Sequence, residues 1–231
     1  MEFAVAIYSM VSVIAQTAQN SGTLNWLTSK YEAGGIFMHP ILACLVIGLA
    51  FSFERLWTLS RARVNTKDFI VKVKSALETN GIEAAKEICA NTRGPVASVF
   101  HAGLLRANEG FEAAEKAIMT YGGIEMGFLE KGLIWISTFI TLAPMLGFTG
   151  TVQGMIEAFD AIKEAAQISP AIVADGIAIA LLSTLFGLVV AMILQVFYNY
   201  FVSRIDSLVS DMEESSVALI DALYDLKNKK K

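Results

Sequence analysis

Between Gly132 and Ile156 the chain runs for 25 residues without an Asp, Glu, Lys or Arg. About 20 apolar helical residues suffice to cross a bilayer. The run is not a plain anchor, because it carries Pro144, Gly147, Gly150 and Gly154 with the hydroxyls of Thr149 and Thr151. On a helix, Ala143, Gly147, Gly150, Thr151 and Gly154 fall at i, i+4, i+7, i+8 and i+11. They form one ridge of small side chains along which a second helix can approach closely. The ridge predicts packing, and its hydroxyls make conduction conceivable.

A second uncharged run, Gly176 to Ser203, repeats the design with Gly176, Ala180, Ser183, Thr184, Gly187 and Ala191 on one face. Two such faces can lie against each other. A third, Ala33 to Phe53, is bulkier and reads as a lipid-facing helix, so three membrane spans are expected. With 55% hydrophobic residues, 17% charged ones and a mean hydropathy of +0.54, the chain is too apolar for an ordinary soluble domain. The fold class predicted is all-α: an integral membrane protein with three transmembrane helices, two of them extended into the cytoplasm.

Orientation follows from positive charge, which gathers on the cytoplasmic side. Eleven Lys and Arg lie between the first two spans and five follow the third, leaving only Lys30 and Lys163 for the other side. The connection from Glu157 to Asp175 adds four carboxylates against one lysine. The N-terminus is therefore expected outside and the C-terminus inside. The layout expected is an N-terminal periplasmic or interfacial helix over 1–32, transmembrane helices over 33–59, 131–156 and 172–203, a cytoplasmic helical insertion over 60–130, a periplasmic connection over 157–171 and a cytoplasmic helical tail over 204–231.

Residues 1–20 leave two readings open. The stretch FAVAIYSMVSVIAQTAQ has the length of a signal-peptide apolar region, yet no basic residue precedes it and Glu2 has the wrong sign. It reads as an amphipathic helix on the outer membrane surface, with a cleaved signal as the alternative. Ser21, Gly22 and Gly34-Gly35 mark breaks. In the insertion, helices are expected over Asp68–Leu77, Gly81–Ala90 and Pro95–Arg106, the last with proline in its permitted first turn. A fourth helix from Phe111 is expected to pass Gly122-Gly123 and continue into the second span. The third span should run from Ala171 to Leu226 as one helix on the order of 80 Å long. Arg55, Arg61 and Arg63 are expected at the anionic cytoplasmic surface, with Glu54 paired to a neighbouring arginine.

Catalytic patterns are missing. There are two histidines and two cysteines, with no HExxH, CxxC, glycine-rich phosphate loop or Ser-His-Asp context. No catalytic residue, metal ligand or cofactor is assigned, and no basic stripe with aromatics points to nucleic acid. His39 reads as an interfacial polar residue with a proton relay as the alternative, His101 as part of a helix face, and Cys44 and Cys89 as buried thiols.

The segments TLAPMLGFTGTVQGMIEAF and ADGIAIALLSTLFGLVVAMILQVFYNY, with ERLWTLSRARV closing the first span, resemble the MotA/TolQ/ExbB proton-channel family, its ExbB branch above all. The resemblance covers about residues 36–226. It implies an inner-membrane energy transducer of Gram-negative bacteria: a ring, usually a pentamer, around the single-span helices of an ExbD or TolR partner dimer, with proton flow driving a TonB-like protein. By the same resemblance Thr151 and Thr184 match pore-facing threonines, and the proton carrier is a partner aspartate. That division is chemically coherent, since a threonine hydroxyl can orient water or a carboxyl but does not titrate near neutral pH. The alternative for both threonines is that they bond backbone carbonyls and hold helices together.

One departure stands out. Many ExbB and TolQ proteins carry GIAEALLAT where this chain reads GIAIALLST, so Ile179 replaces a glutamate whose role cannot be transferred. Asp175, one turn away on the same face, has two open readings: a proton entry group, or a solvated acid near the helix start. Pro144 and the glycines and alanines of both ridges, Ala143, Gly147, Gly150, Gly154, Gly176, Ala180 and Gly187, are assigned to helix packing. The rival functions are a TolQ-like or motility stator subunit of the same superfamily, and a non-conducting scaffold in contact with lipid and partners. The mixed-sign insertion is small for gripping a rotor, which favours ExbB-type transduction.

Overall fold

A computed structural model describes residues 21–61, 66–165 and 170–229. The expectations for residues 1–20 lie outside that set. Among the described residues the chain is helical, with no strand. The helices are α1 (Ser21–Ala33), α2 (Met38–Arg61), α3 (Thr66–Thr79), α4 (Gly81–Asn91), α5 (Pro95–Arg106), α6 (Phe111–Glu130), α7 (Leu133–Ala165) and α8 (Pro170–Lys229). α2, α7 with the preceding α6, and α8 are long and apolar enough to cross a membrane, which fits a membrane protein with three spans.

The described residues fall into two compact units, one drawn from 1–48 and 138–194, the other from 49–137 and 195–231. In the first unit α1 begins at Ser21, so the break expected at Ser21-Gly22 lies at the edge of the described residues. The break comes at Gly35, whose φ of +75° places it where side chains are disfavoured, and α2 starts only at Met38. α2 is not turned wholly outward. Met38, Ile41, Cys44 and Gly48 are buried, while Leu42, Val46 and Ile47 are exposed. The buried seam admits a large neighbour, since a Cβ on Gly48 would stand 2.6 Å from Leu194 Cδ1. One face of α2 is therefore packed within the chain, and only the other is left for the lipid contact expected of the whole helix.

The second unit has a conventional side-chain core. α3 packs on α4, α4 on α5, and α5 on α6. Val73, Leu77, Ala85, Val99, Phe100, Leu104 and Ile118 are each at most 2% exposed, and Phe69 tilts against Phe100 at 5.5 Å between ring centroids. Gly103 is kept small by Ile118, which fills the space a side chain would need. The tail of α8 is part of this unit. Phe201, Ile205, Leu208, Met212, Ser215, Leu219 and Leu223 are buried at three- and four-residue steps, the spacing of a helix with one packed stripe. Phe111 meets Tyr224 edge-on at 6.0 Å, and Leu208 lines a small cavity with Phe69, Pro95 and Val96.

Two expectations need correction here. α6 passes Gly122-Gly123 intact, but it does not continue into the second span: it stops at Glu130, and α7 begins at Leu133. Gly132 makes the break possible, with φ +91° and a carbonyl that accepts the first α7 amides, from Trp135 and Ile136. Arg55 does not sit at an anionic surface, because only 7% of it is exposed. Its Nε donates to Glu54 Oε2 at 2.9 Å, so Glu54 does pair with a neighbouring arginine.

Candidate proton path

The glycine ridges of α7 and α8 meet in the first unit, and they meet backbone to backbone. A Cβ on Gly147 would stand 2.9 Å from the Ser183 carbonyl oxygen and 3.0 Å from Thr184 Cα. One on Gly187 would reach within 2.6 Å of the Ala143 carbonyl, and one on Gly154 within 2.8 Å of the Gly176 carbonyl and 2.9 Å of the Ala180 amide nitrogen. Gly176 in turn faces Ala158 and the Gly154 carbonyl, and Gly150 faces the Ser183 side chain. Six of the assigned packing residues are thus in mutual contact over several helical turns. Where two helices approach this closely, Cα–H groups reach opposing carbonyls, worth about 0.5–1 kcal/mol each. Pro144 lies half-buried inside α7, which runs through it.

Hydroxyls converge on a single acceptor. Ser183, fully buried, donates to the Gly147 carbonyl at 3.2 Å and to the Ala180 carbonyl at 2.9 Å. Thr184 donates to the same Gly147 carbonyl at 3.1 Å. In the isolated chain Thr184 therefore ties α8 to α7. Thr151, half-buried four residues beyond Gly147, donates to the Phe148 carbonyl of its own helix, and Thr149 to the Met145 carbonyl at 2.9 Å. A backbone carbonyl of a helix keeps one lone pair beyond its helix bond, so Thr184 and Ser183 share that site on Gly147, and Ser183 has the Ala180 carbonyl as its nearer acceptor. Ser183 belongs to the ridge pattern, and what separates it from the equally buried Ala143 is a hydroxyl with carbonyl partners on both helices.

Among the described residues no titratable side chain enters this contact. Asp175 is exposed, four residues before Ile179 and outside the ridge. Ile179, at the position where the family pattern has glutamate, is half-buried with Cγ2 3.1 Å from the Cβ position of Gly35. An apolar side chain here covers the turn that leads into α2. Phe37 comes from the same turn, its Cβ 3.3 Å from where a Gly150 side chain would begin. His39 is exposed and stacks edge-on with Tyr31 at 5.6 Å, its Nδ1 3.3 Å from the Ile36 carbonyl. His101 is half-buried on α5 in the second unit. Among the described residues no group of His, Cys, Asp and Glu could hold a metal ion.

An interlocked glycine contact with buried hydroxyls and no titratable group within it is the setting in which relatives become informative. The MotA/TolQ/ExbB proton channel family matches residues 91–214, more than half of the chain. An ExbB homolog of Methanothermobacter thermautotrophicus is 33% identical over 79% of this chain and 65% of its own length. The chain thus spans just under two thirds of that relative. The biopolymer transport protein ExbB of Salmonella typhimurium is 26% identical over 79% of this chain and 82% of its own. The Tol-Pal system protein TolQ of Haemophilus influenzae is 34% identical over 38% of each. The match takes in both glycine ridges and most of the insertion that packs on the α8 tail, and the chain belongs to the MotA/TolQ/ExbB proton channel family.

Proposed function

We propose that this chain is the channel subunit of an ExbB–ExbD type motor of the bacterial inner membrane, coupling proton motive force to TonB-dependent transport across the outer membrane. The observation that carries the reading is the α7–α8 contact: backbones pressed together through Gly147, Gly154, Gly176 and Gly187, with Ser183 and Thr184 bonded to one carbonyl. Such a surface can slide between nearly equivalent packings, having no large side chain to unlock. A proton crossing the membrane potential releases about 2.3 kcal/mol per 100 mV, enough to bias small rotations of this kind. In this reading several copies, five by family resemblance, surround a dimer of a single-span ExbD- or TolR-like partner that supplies the titrating carboxylate. Thr151 and Thr184 line the path, Asp175 stands at its entrance, and a TonB-like protein receives the work. In this reading the N-terminus faces the periplasm and residues 60–130 and 204–231 face the cytoplasm, an orientation that the distribution of Lys and Arg supports.

A second reading has its own support. Thr184 already bonds the Gly147 carbonyl and Thr151 the Phe148 carbonyl, as hydroxyls that only hold helices together would. A TolQ-type role has the Haemophilus relative behind it. The deciding experiment changes both hydroxyls without changing volume. With Thr151→Val and Thr184→Val together, the oligomer with its partner should form in normal yield while energised transport is abolished. Intact assembly with intact transport would sink the pore-lining role, and lost assembly would assign both residues to helix packing.

A further inference from the structure

The junction between α6 and α7 is held from α2 at two points one turn apart. Phe51 stacks on Trp135 with centroids 6.3 Å apart and planes 14° from parallel. Arg55, on the next turn, lays its guanidinium over Gly132: a Cβ there would stand 2.9 Å from Arg55 Nε and 3.3 Å from Cζ. The guanidinium fills the space beside the backbone where a side chain at position 132 would lie. Its direction is set by Glu54, which accepts from Nε at 2.9 Å and from Thr58 Oγ1 at 3.0 Å. The Arg55 side chain is 8% exposed, so a permanent charge has been taken out of water for this position. Gly132 is the residue with most to gain from restraint. It has φ +91°, follows the last turn of α6, and supplies the carbonyl on which α7 starts. A glycine in this place is free to turn through the widest range of backbone angles unless something packs on it.

We propose that Arg55 is a positioning residue which, oriented by Glu54, fixes the direction in which the first turn of α7 leaves the α6–α7 junction. The flat guanidinium is the feature that matters. A lysine keeps the charge but cannot cover Gly132 as a plane or pair sideways through Nε. The consequence for proton flow rests on the channel reading above; the restraint of the junction does not.

The test places nitroxide labels at exposed Met119 and Ile134, on either side of the break, in a chain with Cys44 and Cys89 replaced by alanine. The labelled chain is diluted with unlabelled chain in nanodiscs, and the distance distribution is read by pulsed electron resonance. The parent should give one narrow distribution. Arg55→Ala should widen it about twofold or more by freeing the glycine, Arg55→Lys should fall between, and Glu54→Gln should shift it least. Proton flux into vesicles holding the chain with its partner should fall in the same order, with partial recovery in Arg55→Lys. An oligomeric Arg55→Ala protein with the parent distribution overturns the proposal. Should Arg55→Ala fail to fold, Arg55→Met serves, because it keeps the apolar stem and removes the plane over Gly132; an unchanged distribution there overturns the proposal equally. A widened distribution with undiminished flux removes the link to conduction. Absence of flux in the parent sinks the channel reading and leaves the distance test to decide the restraint.

Discussion

The α7–α8 contact and the α3–α6 insertion are both helix packings, built on opposite principles. In the insertion, large side chains such as Phe100, Leu104 and Ile118 are driven together by burial, at about 25 cal/mol per Å² of apolar surface removed from water. Between α7 and α8 only small side chains such as Ala158 and Ser183 intervene, and Gly147, Gly154 and Gly187 stand directly against the carbonyls of Ser183, Gly176 and Ala143. In lipid a leucine gains little by leaving one apolar neighbour for another, so close approach and hydrogen bonding take over from the hydrophobic effect. The same residue type therefore has opposite value in the two places. Gly147 and Gly187 are where α7 and α8 touch, whereas Gly122, Gly123 and Gly127 of α6 have nothing within 4 Å of a would-be side chain.

That contrast can be broken by substitution, beginning with the insertion. Phe100→Ala should destabilise the purified protein by about 3–5 kcal/mol, the range for emptying a packed aromatic site. A loss below about 1 kcal/mol in denaturant titration would mean that the insertion does not rest on this core. Gly147→Ala adds one methyl group where backbone already stands, and about 1–3 kcal/mol of destabilisation is expected from overpacking. Thermal unfolding in detergent would show it, and a neutral result would mean that α7 and α8 can separate freely. Thr184→Val removes one of two hydroxyls on the Gly147 carbonyl while Ser183 remains, so the loss should be about 0.5–1.5 kcal/mol.

Gly122→Ala should act in the opposite sense. With open space around it, alanine should add about 0.5–1 kcal/mol through helix propensity alone. Destabilisation of the assembled protein would instead reveal that another chain covers this face of α6. The smallest effect at neutral pH concerns Cys89. Burial raises its thiol from 9.0 to about 12, so at pH 7 it should react with maleimide far more slowly than a free thiol. Above pH 9 the unfolded chain releases that proton while the folded one holds it. Stability should therefore decline as pH rises from 9 toward 12, and Cys89→Ala should remove that part of the decline.

Much of this architecture is written locally. The helix over Pro95–Arg106 has the bounds its proline start and following breaker predict, and α8 runs unbroken because no residue interrupts it beyond Gly187. Both glycine ridges were legible as spacing on a helix. Hidden from sequence was the break at Gly132, since a glycine in a helical pattern is compatible with continuation or with a left-handed turn. The side chain packed on that turn is Arg55, 77 positions earlier in the chain. The heptad-like stripe from Phe201 to Leu223 was visible only as apolar residues; that it belongs to the compact unit of the insertion required the packed chain.

The candidate site divides along the same line. Spacing alone determined which residues are small enough for two helices to touch, because a helical period maps sequence onto a face without reference to anything else. Which atoms meet, with Ser183 and Thr184 on the Gly147 carbonyl and Ile179 over Gly35, was decided only in three dimensions. The register of one helix against another depends on distant residues, and periodicity along a single helix carries no information about it.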